Sequence, residues 1–77
     1  MSYIKLTDAN KTKCDILKEV GIVVSNYIYN KRIIYTVTIK DMPNLDDFID
    51  NRFNSINDIL KAFSDMLVSH NYKLLAS

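Results

Sequence analysis

The chain has 77 residues, of which 48% are hydrophobic and 25% charged, and its formal net charge is +1. This composition supplies one hydrophobic core, so a single domain over residues 1–77 is expected, and it argues against a long disordered or low-complexity region. The apolar runs are too short to span a membrane, no secretion signal is evident, and Cys14 is the sole cysteine. We therefore expect a soluble, cytoplasmic protein without disulfides and without a membrane partner.

Charge and composition also bear on partners and source. Residues 1–40 carry a net charge of +4 and residues 41–77 carry −3. Such asymmetry is typical of a basic side that faces a polyanion, or of two complementary sides that meet in a dimer, although a solvated surface is the simpler explanation. Ile, Asn, Lys, Tyr and Phe, which have AT-rich codons, supply 34 of the residues. A low-GC bacterium, its phage or mobile elements, or an AT-rich virus is the expected source, with the host cytoplasm as the location in the viral case.

The first forty residues begin with two short predicted elements. Residues 3–7 alternate between apolar and polar, which predicts a strand that turns Ile4 and Leu6 toward the core. Residues 12–15 have the spacing of a capping box, so a helix is predicted over residues 13–20, ending before a left-handed Gly21. The alternative is that residues 13–18 form a strand, hairpinned to the first through residues 8–12.

Residues 23–40, VVSNYIYNKRIIYTVTIK, predict a β-hairpin. A two-residue turn at Asn30 and Lys31 sets Tyr29 opposite Arg32, and this register separates two faces. The predicted core face contains Ile22, Val24, Asn26, Ile28, Ile33, Tyr35, Val37 and Ile39. The opposite face contains Val23, Ser25, Tyr27, Tyr29, Arg32, Ile34, Thr36 and Thr38.

The remaining residues predict a loop, a helix and a final strand. Residues 41–43 end the hairpin because proline cannot donate to a strand ladder, and a helical turn after residue 44 should place Leu45, Phe48 and Ile49 inward. Ser55 caps the clearest helix of the chain, which ends near His70 and a left-handed Asn71. Its inward positions fall at helical intervals, at Ile56, Ile59, Leu60, Phe63 and Leu67. Residues 72–75 would form the last strand.

This order, β-α-β-β-α-β, predicts a small α+β domain of the ferredoxin-like class, in which both helices cover one face of a four-stranded antiparallel sheet. The alternative is an antiparallel β-meander followed by one long helix. In the ferredoxin-like order the first strand lies beside the third, and the open face then collects the predicted partner-binding residues. These are Tyr3, Lys5, Tyr27, Tyr29, Arg32, Ile34 and Lys40, with Lys73 as a further candidate.

The residues that could carry catalysis have simpler structural roles. The carboxylates of residues 41–58 stand in a loop and at predicted helix starts, where Asp commonly caps, and the calcium-loop spacing is absent. His70 and Cys14 have neither metal-ligand nor nucleophile spacing, and one glycine cannot make a phosphate loop. We therefore predict no enzymatic activity and no catalytic, cofactor or metal residues.

Asp8 is the one further catalytic candidate. A strand-end aspartate in IKLTD, in a ferredoxin-like chain this small, resembles the layout of the small CRISPR-associated integrase subunits and their toxin relatives. The resemblance covers only the element order and these five residues, and it implies metal-dependent nuclease activity around Asp8. A turn residue is the favoured interpretation of Asp8.

The open sheet face gives the functional prediction. Tyr and Arg are enriched at protein interfaces, so the preferred partner is a protein or a second copy of the chain in a homodimer. Aromatic side chains beside Lys and Arg also suit stacking on unpaired bases, so a single-stranded nucleic-acid-binding module is the alternative. The sequence KRIIYTVTI lacks the glycine and paired aromatics of the RNA-recognition motif, and cross-strand Tyr and Ile pairs can simply stabilise a small sheet.

Overall fold

A computed structural model describes residues 2–42 and 44–75 as a small α+β domain. Pro43, which the sequence assigned to the end of the hairpin, lies outside the described residues. The elements follow in the order β1 (Ser2–Lys5), α1 (Asn10–Glu19), β2 (Ile22–Tyr29), β3 (Arg32–Ile39), a 3-10 turn (Leu45–Asp47), α2 (Ile56–Ala62), α3 (Ser64–Ser69) and β4 (Tyr72–Leu75).

The strands form two separate two-stranded sheets. β1 pairs with β4 in parallel, and β2 pairs with β3 in an antiparallel hairpin. The small α+β class is thus confirmed, but the four-stranded antiparallel sheet with β1 beside β3 is wrong. The alternative meander is wrong as well, because residues 13–18 lie in α1.

The outer edge of β3 is already occupied, which explains why β1 does not pair there. Tyr35 and Phe53 exchange two backbone hydrogen bonds of 2.9 Å, and the Met42 amide donates to the Ile39 carbonyl at 3.0 Å. The side chain of Asn51 bonds both backbone groups of Val37. These bonds close the outer edge of β3 from Tyr35 to Ile39, so β1 cannot pair along this part of the strand.

One core joins all the elements. The hydrophobic residues that are buried come from both sheets, the three helices and the 3-10 turn: Ile4, Leu17, Val20, Ile22, Val37, Ile39, Leu45, Ile56, Ile59, Leu60 and Leu67. The inward positions predicted for Ile4, Leu45 and the helix after Ser55 are therefore largely confirmed. Phe63 is half-buried at the margin of this core.

The helix ends agree with the sequence in part. Ser55 caps α2 by accepting a 3.2 Å hydrogen bond from the Asp58 amide, and Gly21 and Asn71 are left-handed at φ of 92° and 64°, as predicted. The capping box at residues 12–15 is wrong, because α1 begins at Asn10 and its N-cap, Ala9, has no side chain able to bond.

The long helix and the turn before it also depart from prediction. The helix is divided into α2 and α3 at Phe63, whose φ of −109° and ψ of 25° leave the helical range while its ring packs against Phe53 at 6.3 Å. Phe48 is 74% exposed, contrary to expectation, because the 3-10 turn lasts three residues and ends before Phe48 can turn inward. None of the helices in residues 2–42 and 44–75 has the length and hydropathy to cross a bilayer.

Candidate functional site

The hairpin turn is the most specific local prediction, and it is confirmed. Asn30 and Lys31 both have positive φ, 49° and 63°, as a type I′ turn requires. This turn matches the right-handed twist of the flanking strands and fixes their register. All eight strand pairs, from Ile22 opposite Ile39 to Tyr29 opposite Arg32, are those expected from the sequence.

The end of the hairpin near the turn, residues 26–34, extends beyond the core and is called the hairpin arm here. Ile22, Val37 and Ile39 at its base are buried, yet Ile28 is 77% exposed and Ile33 opposite it is 53% exposed. The assignment of these two isoleucines to the core is therefore wrong. The alternation places both isoleucines on the face that packs against the core, but the strands are longer than the helix that covers this face. Eight strand residues span about 27 Å, whereas the ten residues of α1 span only about 15 Å, so the end of the hairpin is left uncovered.

The opposite face of the hairpin arm carries the aromatic residues that the sequence singled out. Tyr27 and Tyr29 are both exposed, and they lie across from a half-buried Ile34 and an exposed Arg32. The hairpin arm thus presents large apolar side chains on both faces. It contains two cations, Lys31 and Arg32, and no carboxylate.

The other predicted partner-binding residues lie elsewhere. Tyr3 and Lys5 are exposed on β1, in the separate sheet, where Tyr3 is paired with Lys73 of β4. Lys40 is exposed directly after β3, at the opposite end of the hairpin from its turn. The structure therefore groups only Tyr27, Tyr29, Arg32 and Ile34 on one surface.

A shallow groove that the sequence did not predict borders Tyr27. It encloses about 510 Å³ between one face of the hairpin and residues 46–52, with Thr36 and Thr38 on the strand side. Asp46, Asp50 and Arg52 line the other side, and the Arg52 Nε lies 3.3 Å from the Asp50 Oδ1 in an exposed ion pair. No local sequence pattern signals this groove, because it depends on how residues 46–53 return to β3.

Lys13 is a second feature that the sequence did not reveal. It is 4% exposed, and its Nζ donates to the Leu6 carbonyl and to the Asn57 Oδ1, both at 2.6 Å. The lysine joins the loop after β1 to α2 through α1. Both acceptors are uncharged groups of the protein itself, so we assign Lys13 a structural role.

Asp8 lies in a turn, which is the interpretation favoured from the sequence, and His70 contacts the end of α3. The Asp8 carboxylate accepts a 3.0 Å hydrogen bond from the Lys5 amide, and the Asp8 amide donates to the Lys5 carbonyl, which closes the turn. The His70 Nδ1 lies 3.0 Å from the Met66 carbonyl in the last turn of α3. Within residues 2–42 and 44–75, no group of three or more His, Cys, Asp or Glu side chains could hold a metal ion.

Cys14 is half-buried. Burial raises the pKa of its thiol, and the neighbouring Asp15 raises it further, while Lys13 opposes the shift. A raised thiol pKa lowers the thiolate fraction at neutral pH, which makes a reactive nucleophile unfavourable here.

No protein-family model, no curated protein and no solved structure matches the chain.

Proposed function

We propose that this chain is a small, non-enzymatic interaction domain that binds protein through its hairpin arm. The observation that carries the proposal is the exposure of Ile28 and Ile33 on one face of the hairpin arm together with Tyr27 and Tyr29 on the other. In a domain this small, apolar side chains that could have been buried are instead directed into solvent. Contiguous exposed apolar surface is characteristic of binding sites.

The residue types of the hairpin arm suit a protein partner. Tyrosine and arginine are enriched among the residues that contribute most to binding energy, and Tyr29 lies directly across from Arg32. The type I′ turn and the regular register hold these side chains on a preformed scaffold, which reduces the entropy lost on binding. If the source is a phage or mobile element, the partner would be a protein of its host.

The alternative function is binding of single-stranded nucleic acid. It is supported by two tyrosines and a cation, Tyr27, Tyr29 and Arg32, on one face of the hairpin arm. Against it, Asp46, Asp50 and Arg52 line the groove that borders Tyr27, so a phosphate backbone there would meet a net negative charge. Lys40 lies at the far end of the hairpin and offers no contact near the stacked bases.

Affinity capture from an extract of the source organism tests the protein-binding proposal. The bait is compared with the variant Ile28→Thr/Ile33→Thr, in which the hairpin arm keeps β-branched residues but loses apolar surface. Phe48→Thr is the matched control, because Phe48 is equally exposed and lies outside the hairpin arm. We expect one partner to be recovered at stoichiometric amounts with the wild type and the control and lost with the double variant.

Two results would contradict the proposal. The first is recovery of the same protein by the Ile28→Thr/Ile33→Thr bait with an unchanged circular dichroism spectrum. The second is a labelled oligonucleotide that binds with an affinity falling steeply with salt and lost in Tyr27→Ala/Tyr29→Ala, which would favour the nucleic-acid alternative.

A further inference from the structure

The two edges of the hairpin differ. Tyr35 and Val37 direct their backbone groups away from β2, toward Phe53 and Asn51. In an antiparallel ladder the residues opposite them, Asn26 and Val24, must then direct theirs away from β3. By the same alternation, Ile28 also presents its amide and carbonyl on the outer edge of β2, whereas Ile22 at the base of the hairpin is fully buried. In the described part of the chain none of these groups has a hydrogen-bond partner.

The outer edge of β2 also lacks the features that normally prevent an edge strand from pairing with a strand of another chain. Edge strands are commonly short, or are guarded by charged residues, proline or a bulge. β2 is eight residues long, contains no charge and no proline, and pairs with β3 without a bulge. Residues 25–29 of β2 are exposed, so a second strand can approach this edge.

We propose that a second copy of this chain occupies the edge, with the two β2 strands antiparallel about a two-fold axis at Asn26. The result is a continuous four-stranded sheet in the order β3, β2, β2, β3. This inference rests on the proposed function, since it uses the same hairpin arm, and it names the partner as a second copy.

The register follows from the outward-pointing groups. With Ile22 buried, hydrogen-bonded pairs with a second copy can form only among Val24, Asn26 and Ile28, so only a few two-fold arrangements are possible. With the axis at Asn26, this residue faces its own copy and Ile28 faces Val24 of the second copy. On the other face, Tyr29 faces Val23 of the second copy, so the exposed Ile28 and Tyr29 both gain apolar neighbours.

The neighbouring registers are less favourable. An axis at Ser25 sets Val24 opposite Asn26 of the second copy, and an axis at Tyr27 sets Ile28 opposite that same asparagine. Each of these arrangements pairs the polar Asn26 with an apolar residue of the core-side face at two positions. The axis at Asn26 avoids this mismatch and forms about six backbone hydrogen bonds.

Charge is compatible with self-pairing. Because β2 has no charged residue, no like charges meet across the axis. In the proposed register Lys31 lies opposite Gly21 of the second copy, two residues after α1 ends at Glu19; the last turn of α1 also carries Lys18. The C-terminal end of a helix carries partial negative charge, which favours a cation there.

Light scattering across a concentration series tests the proposal. We expect the wild type to be dimeric and Asn26→Lys and Asn26→Glu each to be monomeric, because like charges would face each other at the axis. Mixing the two variants should restore a dimer, since lysine then faces glutamate. Thr38→Lys is the matched control and should remain dimeric, because Thr38 is exposed on β3, whose edge is already closed.

A cross-linking experiment tests the register separately. In the Cys14→Ser background, Asn26→Cys should give a disulfide-linked dimer on mild oxidation, because a hydrogen-bonded antiparallel pair has Cα atoms about 5.5 Å apart. Thr38→Cys in the same background should not. A monomeric wild type, or a dimer that Asn26→Lys leaves intact, would overturn the proposal.

The outcomes distinguish this inference from the proposed function. A monomeric wild type that still captures one protein, with loss of that protein in Ile28→Thr/Ile33→Thr, would refute the self-pairing and retain the binding role of the hairpin arm. A wild type that is monomeric and captures nothing would refute both.

Discussion

The side chain of Asn51 completes the ladder of β3 at Val37. The Val37 amide donates to the Asn51 Oδ1 at 2.8 Å, and the Asn51 Nδ2 donates to the Val37 carbonyl at 2.8 Å. The amide side chain thus has the same hydrogen bonds as one residue of a neighbouring strand. It closes one edge of the hairpin and leaves the edge of β2 as the open one.

We expect Asn51→Ala to lower the free energy of unfolding by about 1–3 kcal/mol, because both backbone groups of the buried Val37 lose their partners. Asn54→Ala removes an exposed asparagine from the same segment and should change stability by less than about 0.5 kcal/mol. Urea unfolding measures both. Equal midpoints for the two variants would show that the Asn51 bonds contribute nothing.

Lys13 and Asn57 should be energetically coupled, because the buried ammonium has Asn57 as one of its two acceptors. Asn57→Ala should cost about 1–3 kcal/mol, since it leaves a charged donor without that partner in a site away from water. In a Lys13→Met background the same substitution should cost less, and the difference is the coupling energy. Lys11→Met, at an exposed position of α1, serves as the control. Additive effects of Lys13→Met and Asn57→Ala would contradict the coupling.

The hairpin was predictable because its information is local. The turn residues at 30 and 31 and the two-residue period of the strands independently specify one register, and the structure has that register. The same holds for the caps at Ser55, Gly21 and Asn71.

The strand order was not predictable from comparable signals. β1 and β4 lie at opposite ends of the chain. The apolar and polar residues of a four-residue strand alternate in the same way in a parallel and in an antiparallel pair, so the pattern does not indicate the partner. Whether β1 could pair with β3 depended on Asn51 and Phe53, which close that edge from a loop. The exposure of Ile28 and Ile33 was missed for a related reason, because alternation assigns a face but not the element that covers it.

Replacing Lys31 by glycine should stabilise the protein. Lys31 has a φ of 63°, a left-handed conformation that costs an L-residue about 1 kcal/mol and glycine almost nothing. Glycine is more flexible in the unfolded chain, so the expected net gain is about 0.5 kcal/mol. Lys31→Ala tests the role of charge, because it removes the cation and keeps the strain. Thermal unfolding should rank Lys31→Gly above the wild type, and a ranking with Lys31→Ala at the top would show that charge matters more than the turn conformation.

The pair formed by Tyr72 and Glu19 should make stability depend on pH in the alkaline range. The Tyr72 hydroxyl donates to the Glu19 Oε2 at 2.6 Å, and this hydrogen bond is the main reason that the pKa of Tyr72 is raised above its ordinary 10.0. A raised pKa means that the folded state holds the phenol proton more tightly than the unfolded state does. The resulting stabilisation is complete below pH 10 and is lost as the pH rises through the raised pKa.

Glu19→Gln separates the charge from the hydrogen bond. The amide oxygen can still accept from the hydroxyl, but it has no negative charge to oppose ionisation, so the pKa of Tyr72 should fall only by the smaller, charge-dependent part of its shift. Ultraviolet titration of tyrosinate measures this, with Tyr72→Phe subtracted from each background to isolate one of the five tyrosines. The alkaline loss of stability should be smaller in Glu19→Gln than in the wild type and should be complete at a lower pH. Superimposable difference titrations for the two backgrounds would show that the charge of Glu19 adds nothing to the effect of its hydrogen bond.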